Sequence, residues 1–227
     1  MNIKRTSIFA GAIGGFAIVG SAVAGMNGIT YDLEGEDLIA GTYTVRVYAE
    51  LEAGNRLDAV FGNQEFNMTL DYLDGASAYQ NGYGGPTSQN INSAFFTAFP
   101  SLEWDSYVTI GALYVDGTPF GSNALMDIGI DWTDFEAGGA IYTDNGTWFA
   151  TPDDPQVLAG ADLRVMVGQF TMYGLDSHVS GVLNIQGKAG DFETFQEREI
   201  VFDFPFIPAP GALALLGIAG LAQRRRK

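Results

Sequence analysis

TYTVRVYAEL, residues Thr42–Leu51, alternates two kinds of side chain with a period of two residues. Tyr43, Val45 and Val47 fall on one side of an extended chain, and Thr44 and Arg46 fall on the other. Because successive side chains of a β-strand point to opposite faces of its sheet, this pattern predicts a half-buried strand.

Comparable strand-like runs recur along the middle of the chain, separated by turn signals such as Asp74-Gly75, Asp116-Gly117 and Asn145-Gly146. The runs are RLDAVFG (56–62), FNMTLDYL (66–73), SYVTIGALYV (106–115), ALMDIGIDW (124–132), GTWFA (146–150), LRVMVGQFTMYG (163–174), GVLNIQG (181–187) and REIVFDF (198–204). Short strands at this spacing predict an all-β fold, a single antiparallel β-sandwich or jelly-roll domain.

Charge is concentrated in the same region. The chain has 27 acidic and 11 basic residues, for a net charge of −16, and every acid lies between Asp32 and Asp203. This argues against nucleic acid as a partner, because phosphate binding needs clustered Lys and Arg. The absence of cysteine from the sequence excludes disulfides, thiolate metal sites and cysteine nucleophiles.

The N-terminal residues have the three parts of a secretory signal. Lys4 and Arg5 form a basic region, Ile8 to Gly20 an apolar core that we expect to be helical, and Ala22-Val23-Ala24 a small-residue cleavage site. We therefore expect cleavage between Ala24 and Gly25, followed by export of the remaining chain.

The C-terminal segment, PAPGALALLGIAGLAQRRRK (208–227), places an apolar run between two prolines and a basic cluster. Twelve helical residues, Gly211 to Ala222, would cover about 18 Å of a hydrocarbon core about 30 Å thick. The basic cluster would hold the end on the cytoplasmic face of the membrane. The segment therefore predicts a transient arrest in the inner membrane, with an uncleaved tail anchor as the alternative.

This arrangement resembles the PEP-CTERM sorting signal of Gram-negative bacteria. Onto that pattern Pro208, Ala209 and Pro210 match the tripeptide, the apolar run matches the short transmembrane helix, and the basic stop comprises Arg224, Arg225, Arg226 and Lys227. Ala209 departs from the usual glutamate. The resemblance implies processing by exosortase, an integral-membrane transpeptidase-like protease, and a place in a surface or extracellular-matrix system.

The chain thus divides into a signal peptide (1–24), an acidic β-sandwich domain (25–204) and a sorting segment (205–227), with a helix expected in each flanking segment. We expect a non-enzymatic, structural or adhesive protein at the outer surface or outside the cell. Its expected partners are the export machinery, the exosortase-like protease, transiently the inner membrane, and extracellular polysaccharide. The alternatives are a secreted carbohydrate-binding module or glycan hydrolase, and a calcium-stabilised adhesin.

Two groups of residues have side chains suited to catalysis, and neither predicts a catalytic site. His178 is the only histidine of the sequence, and its neighbours Asp176 and Ser177 cannot complete a triad, because a triad is assembled in space. Glu103 and Asp105 would share one face of a strand, with Trp104 on the other, but a chain so rich in acids offers such pairs by chance.

Calcium is the one cofactor that the acidic loops suggest, because it takes several oxygen ligands. None of the candidates matches an EF-hand loop, and turn-forming aspartate is the competing explanation. Asp127 and Asp131 would share a strand face. The weak candidates are Asp127, Asp131, Asp134, Asp144 with Asn145, Asp153 and Asp154.

Aromatic side chains are the candidates for sugar binding. Trp104, Trp132 and Trp148 could stack on sugar rings, although aromatics in alternating strands are more often core residues. Tyr79 and Tyr83 lie in the uncharged segment Ala76 to Pro100, which is predicted to be a long loop, either functional or simply connecting.

Overall fold

The computed structural model describes residues 16–17, 25–73, 75–174, 178–190 and 193–205. The strands of this part are β1 (Phe16–Ala17), β2 (Met26–Glu36), β3 (Thr42–Leu51), β4 (Arg56–Gly62), β5 (Met68–Leu73), β6 (Ser77–Ala78), β7 (Tyr107–Val108), β8 (Leu125–Ile128), β9 (Ile141–Thr143), β10 (Gly146–Ala150), β11 (Arg164–Tyr173), β12 (His178–Lys188) and β13 (Thr194–Pro205). A short helix, α1 (Thr133–Glu136), and 3₁₀ turns over Ser88–Asn90, Ser93–Phe95, Pro100–Trp104 and Pro155–Val157 complete it.

The strands form two sheets in which every strand pairing is antiparallel. Sheet A has the order β1-β2-β3-β11-β6, and β7 also pairs with β11. Sheet B has the order β8-β10-β4-β12-β5-β9. Its long strand β12 pairs with β13 along one edge, and with β5 and then β4 along the other. The expected all-β class and antiparallel pairing are therefore confirmed.

The main core consists of apolar side chains from both sheets. From β3 it takes the side predicted from sequence, including Val45, Val47 and Leu51, and from sheet B it takes residues such as Leu57 and Trp148. Each fully buried side chain of this size contributes about 1.5–3 kcal/mol by leaving water. At one edge of the sandwich Tyr31 of β2 packs on Phe204 of β13, with ring centroids 4.4 Å apart.

A second, smaller core lies on the outer face of sheet A. Ile91, Leu102 and Tyr107 pack there with Met166 of β11 and the partly buried Tyr48 of β3. The uncharged segment Ala76 to Pro100 contributes to this layer and contains two 3₁₀ turns, so it is ordered structure rather than simple connection. Its lack of charge fits this position, because a charge buried against the sheet would need a partner.

Several predicted strands have different bounds in the structure. The run 106–115 is extended only at β7, because Gly111 turns the chain with φ +72°. The run 124–132 ends at Ile128, because Gly129 adopts φ +76°. Strand β2 is not among the predicted strands. Register shifts next to Gly28 and at Gly35 interrupt the alternation of its side chains between the two faces of the sheet.

The helices expected in the flanking segments fall on residues 1–15, 18–24 and 206–227, which lie outside the described residues. Within the expected signal helix only Phe16 and Ala17 are described, and they form the short strand β1 beside Thr30 and Ile29. None of the helices in the described part is long and apolar enough to cross a membrane.

Candidate functional site

Of the predicted processing residues, the structure describes Gly25 alone. Pro208, Ala209, Pro210, Arg224, Arg225, Arg226, Ala22 and Ala24 lie outside the described residues. Gly25 is buried directly before β2, and its carbonyl accepts a 2.8 Å hydrogen bond from Asn55 Nδ2. A Cβ on Gly25 would come 2.5 Å from the ring of Phe195, so only glycine fits there without a shift.

Two of the calcium candidates, Asp131 and Asp127, use their hydrogen bonds within one short stretch of chain. Asp131 Oδ1 accepts hydrogen bonds from the backbone N and Oγ1 of Thr133, and these bonds lower the pKa of Asp131. Asp127 Oδ1 accepts from Trp132 Nε1 at 3.0 Å. The expectation that Asp127 and Asp131 share a strand face is wrong, because β8 ends at Ile128 before the turn at Gly129.

Asp154 accepts one hydrogen bond within its own turn, from Gln156 N, and one from Ser122 Oγ in a distant loop. Asp134, Asp144 and Asp153 are exposed. Among the residues that the structure describes, no three His, Asp or Glu side chains form a group that could hold a metal ion.

Glu103 and Asp105 do not share a strand face, which corrects the expectation from sequence. Pro100 at the first turn starts a 3₁₀ helix that runs to Trp104, because its fixed φ suits that position. Glu103 is half-buried, whereas Asp105 is completely buried.

The carboxylate of Asp105 binds the backbone of the loop that covers it, in the segment Ala76 to Pro100. Its Oδ1 accepts hydrogen bonds from Asn81 N at 2.7 Å and Ser106 N at 3.0 Å, and the backbone N–H of Gly85 also acts on the carboxylate. Burial raises the pKa of Asp105 to about 7, against the opposing effect of these hydrogen bonds. Such a pKa suits acid–base chemistry, but a side chain without exposed surface offers no access to a substrate.

His178 is the first residue of β12, and its Nδ1 is 2.8 Å from Asp203 Oδ1. Trp148 is a core residue, as aromatics in alternating strands more often are. Trp132 and Trp104 are half-buried, and Tyr83 is exposed and stacked on Phe99, with ring centroids 4.1 Å apart.

The clearest candidate site is a groove of about 390 Å³ on the outer face of sheet B, which sequence reasoning missed. Its lining comprises Asp58, Ala59, Phe61, Thr147, Phe149, Ala150, Pro152 and Gln186. The sequence does contain one signal for this groove. Phe61 and Phe149 are large apolar residues on the partly exposed sides of β4 and β10, where polar residues are expected.

Strand register explains the shape of this groove. Ala59 of β4 lies directly between Phe149 of β10 and Gln186 of β12. Side chains opposite each other on one sheet face are close neighbours, so a single methyl group between two large side chains leaves a depression. Phe61 stands beside it on the same strand, diagonal to Phe149.

Polar groups lie at one end of the groove. Arg56 Nε is 2.8 Å from Asp58 Oδ1, and Asp58 Oδ2 accepts no hydrogen bond from the described residues. Burial raises the pKa of Asp58, and the charge of Arg56 opposes that rise. Gln186 Oε1 accepts from Gln196 Nε2 at 2.6 Å, whereas Gln186 Nε2 donates to none of the described residues. The groove thus combines two phenyl rings with one acceptor and one donor that are unused.

Comparison of the chain with models of known protein families, with curated proteins and with solved structures finds no match.

Proposed function

We propose that this chain is an exported surface or extracellular-matrix protein with a structural or adhesive role, sorted through its PEP-CTERM-like segment. The observation that carries the proposal is the pairing of a three-part secretory signal at residues 1–24 with the proline, apolar and arginine parts of residues 208–227. An acidic β-sandwich lies between them.

The proposed route follows from the physical character of the two ends. The apolar core before Ala24 leads the chain across the inner membrane, and the apolar run before Arg224 arrests it there as a short helix. A run of this length holds the bilayer only weakly, because it is shorter than the hydrocarbon core. An exosortase-like protease would then cut near Pro208 to Pro210 and free the body.

The extent of the folded body supports this route. Strand β2 begins at Met26, directly after the proposed signal cleavage, and β13 ends at Pro205, directly before the proline-containing segment. Both core clusters lie between Met26 and Phe204. Cutting at the two proposed places would therefore remove no residue of either core. Among the residues that the structure describes, it would remove Phe16 and Ala17 of β1 alone.

The groove on sheet B favours binding over hydrolysis. Glycoside hydrolysis requires two carboxyl groups on either side of the scissile bond. The described residues that line the groove include a single carboxylate, Asp58, and Arg56 already pairs with it. A non-enzymatic role is accordingly part of the proposal, with sugar binding as its extension.

Intact-mass measurement of the protein recovered from the culture medium and from membranes tests the proposal. We expect the mature product to begin at Gly25 and to end near the Pro208–Pro210 tripeptide. A variant with Pro208→Ala and Pro210→Ala should instead accumulate in the membrane fraction with its C-terminus intact. Wild-type protein found only in membranes, with residues 206–227 attached, would make the segment a permanent anchor and would overturn the sorting proposal.

A further inference from the structure

We propose that the groove on the outer face of sheet B binds a neutral, extended polysaccharide. The inference rests on the proposed function in one respect, namely that a surface or matrix protein meets such polymers outside the cell. The argument comes from the shape of the groove, its free polar atoms and the charge of the surrounding body.

The groove continues as a row across the sheet. Met126, Phe149, Ala59, Gln186 and Gln196 are consecutive cross-strand partners on β8, β10, β4, β12 and β13. Four interstrand spacings make this row about 19 Å long, enough for several sugar units in line. Its apolar end is open to solvent, because Met126 is 50% exposed and its neighbour Ile128 is 66% exposed.

The chemistry of the row matches the two kinds of surface on a sugar ring. The C–H faces of a pyranose can lie against the rings of Phe61 and Phe149 beside the shallow floor at Ala59. Sugar hydroxyls both donate and accept hydrogen bonds, so they can donate to Asp58 Oδ2 and accept from Gln186 Nε2. A purely apolar occupant would bury both groups without partners, which costs about 1–3 kcal/mol for each.

Charge decides between a neutral and an anionic polymer. The chain carries a net charge of −16, and the body holds all 27 acidic residues. Arg56 beside the groove is paired with Asp58, and the two other cations close to the row, Lys188 near Asp58 and Arg198 on Gln196, are few against the 27 acids of the body. An anionic polysaccharide or a second copy of this acidic body would therefore be repelled, whereas a neutral polymer would not.

Affinity electrophoresis tests the inference with the product purified from cells that express the full-length gene. Native gels would contain hydroxyethyl cellulose, galactomannan or dextran as neutral probes, and alginate as the anionic probe. We expect retardation in at least one neutral gel and none in alginate. Ala59→Leu should fill the floor of the groove, and Phe149→Ala should remove a stacking ring, so each should weaken binding about tenfold or more.

Two further variants make the outcome specific. Phe95→Ala removes an exposed phenyl ring far from the groove, in the layer over sheet A, and should bind as the wild type does. Gln186→Ala removes the free amide donor and should weaken binding even if Phe149→Ala proves unstable. Thermal melting of each variant shows whether the fold is retained.

The contrary outcomes are equally concrete. No retardation in any of the three neutral gels, or retardation only in alginate, would overturn the inference. So would equal loss of binding in Phe95→Ala. Concentration-dependent self-association that Ala59→Leu abolishes would assign the groove to a second copy instead. These outcomes leave the sorting proposal intact, because intact mass and cell location are measured separately.

Discussion

The backbone of Gly84 lies directly against the carboxylate of Asp105, so that a Cβ on Gly84 would come 1.7 Å from Asp105 Oδ2. This contact joins the loop after β6 to the 3₁₀ helix that starts at Pro100. The absence of a side chain at Gly84 therefore allows Asp105 to be buried beneath the loop. The contact also supplies two tests of how the layer over sheet A is held.

The first prediction concerns the lack of room for a side chain at Gly84. Gly84→Ala should destabilise the protein by about 1–3 kcal/mol, because the new methyl group forces apart two packed segments. Gly82→Ala is the matched control: it lies two residues away with nothing within 4 Å of its Cβ, and should change stability by less than about 0.5 kcal/mol. Urea unfolding measures both variants, and equal values would show that the contact is not tight.

The second prediction concerns the protonation of Asp105. Its pKa is about 7 in the folded protein, because of burial, against an ordinary value of 3.8. Between about pH 4 and pH 7 the unfolded chain loses this proton while the folded protein keeps it, so stability falls as pH rises. Asp105→Asn keeps an oxygen to accept from Asn81 and Ser106, and should remove this component of the pH dependence.

The magnitude is on the order of 3 kcal/mol across that window. Urea unfolding at several pH values should therefore show a flatter slope for Asp105→Asn than for the wild type. Asp153→Asn alters an exposed acid in a turn and should leave the slope unchanged. Parallel slopes for Asp105→Asn and wild type would mean that Asp105 is ionised within the fold at low pH.

The third prediction concerns a link across three strands of sheet A. Arg164 Nη1 and Nη2 donate to the two carboxylate oxygens of Asp32, at 3.0 and 2.9 Å, and the guanidinium lies 4.2 Å from the ring centre of Tyr48. Arg164→Lys keeps the charge but loses the paired geometry and the stacking. It should cost about 1 kcal/mol, a modest figure because the pair is partly exposed.

Asp162 also lies beside Arg164, and it separates the effect of paired hydrogen-bond geometry from the effect of charge alone. Asp162 is 3.6 Å from Arg164 Nε and is more exposed than Asp32, so Asp162→Asn should cost less than about 0.5 kcal/mol. Thermal melting in low and high salt measures both variants. An Arg164→Lys protein as stable as wild type would show that the paired hydrogen bonds contribute nothing.

The fourth prediction concerns calcium. Because Asp131 and Asp127 already serve local turns, chelator should not lower the melting temperature of the protein. Asp131→Ala should lower it equally with and without calcium, because it loses the hydrogen bonds to Thr133. If the protein instead had a calcium site whose dissociation constant is a hundredfold below the free calcium concentration, bound calcium would add about 2.7 kcal/mol to the free energy of unfolding. Chelator would then remove that stabilisation and lower the melting temperature.

The fold class was predictable because β3, β5 and β10 keep period-two patterns that local geometry alone produces. Strand β2 was not predictable from its sequence, because register shifts at its glycines break the alternation of its side chains while its pairing with β3 continues. The groove was missed for a different reason. Its floor at Ala59 becomes visible only when three strands are placed in register, and no single strand contains that information.

The layer over sheet A shows the same limit. The residues from Ala76 to Pro100 carry no charge, and this permits either a free loop or a packed one. What decides between them is Met166 and Tyr48, which lie on the strands beneath. Those residues are distant in sequence, so composition alone could not assign the contact.

Cell fractionation of a strain whose gene stops after Pro205 tests the central claim most directly. The account predicts a body with unchanged thermal stability that no longer reaches the surface or matrix location of the full chain. A groove variant such as Ala59→Leu, with its tail intact, should still reach that location. If the truncated protein arrives at the same place and in the same amount as the full chain, residues 206–227 are not a sorting signal and the account is wrong.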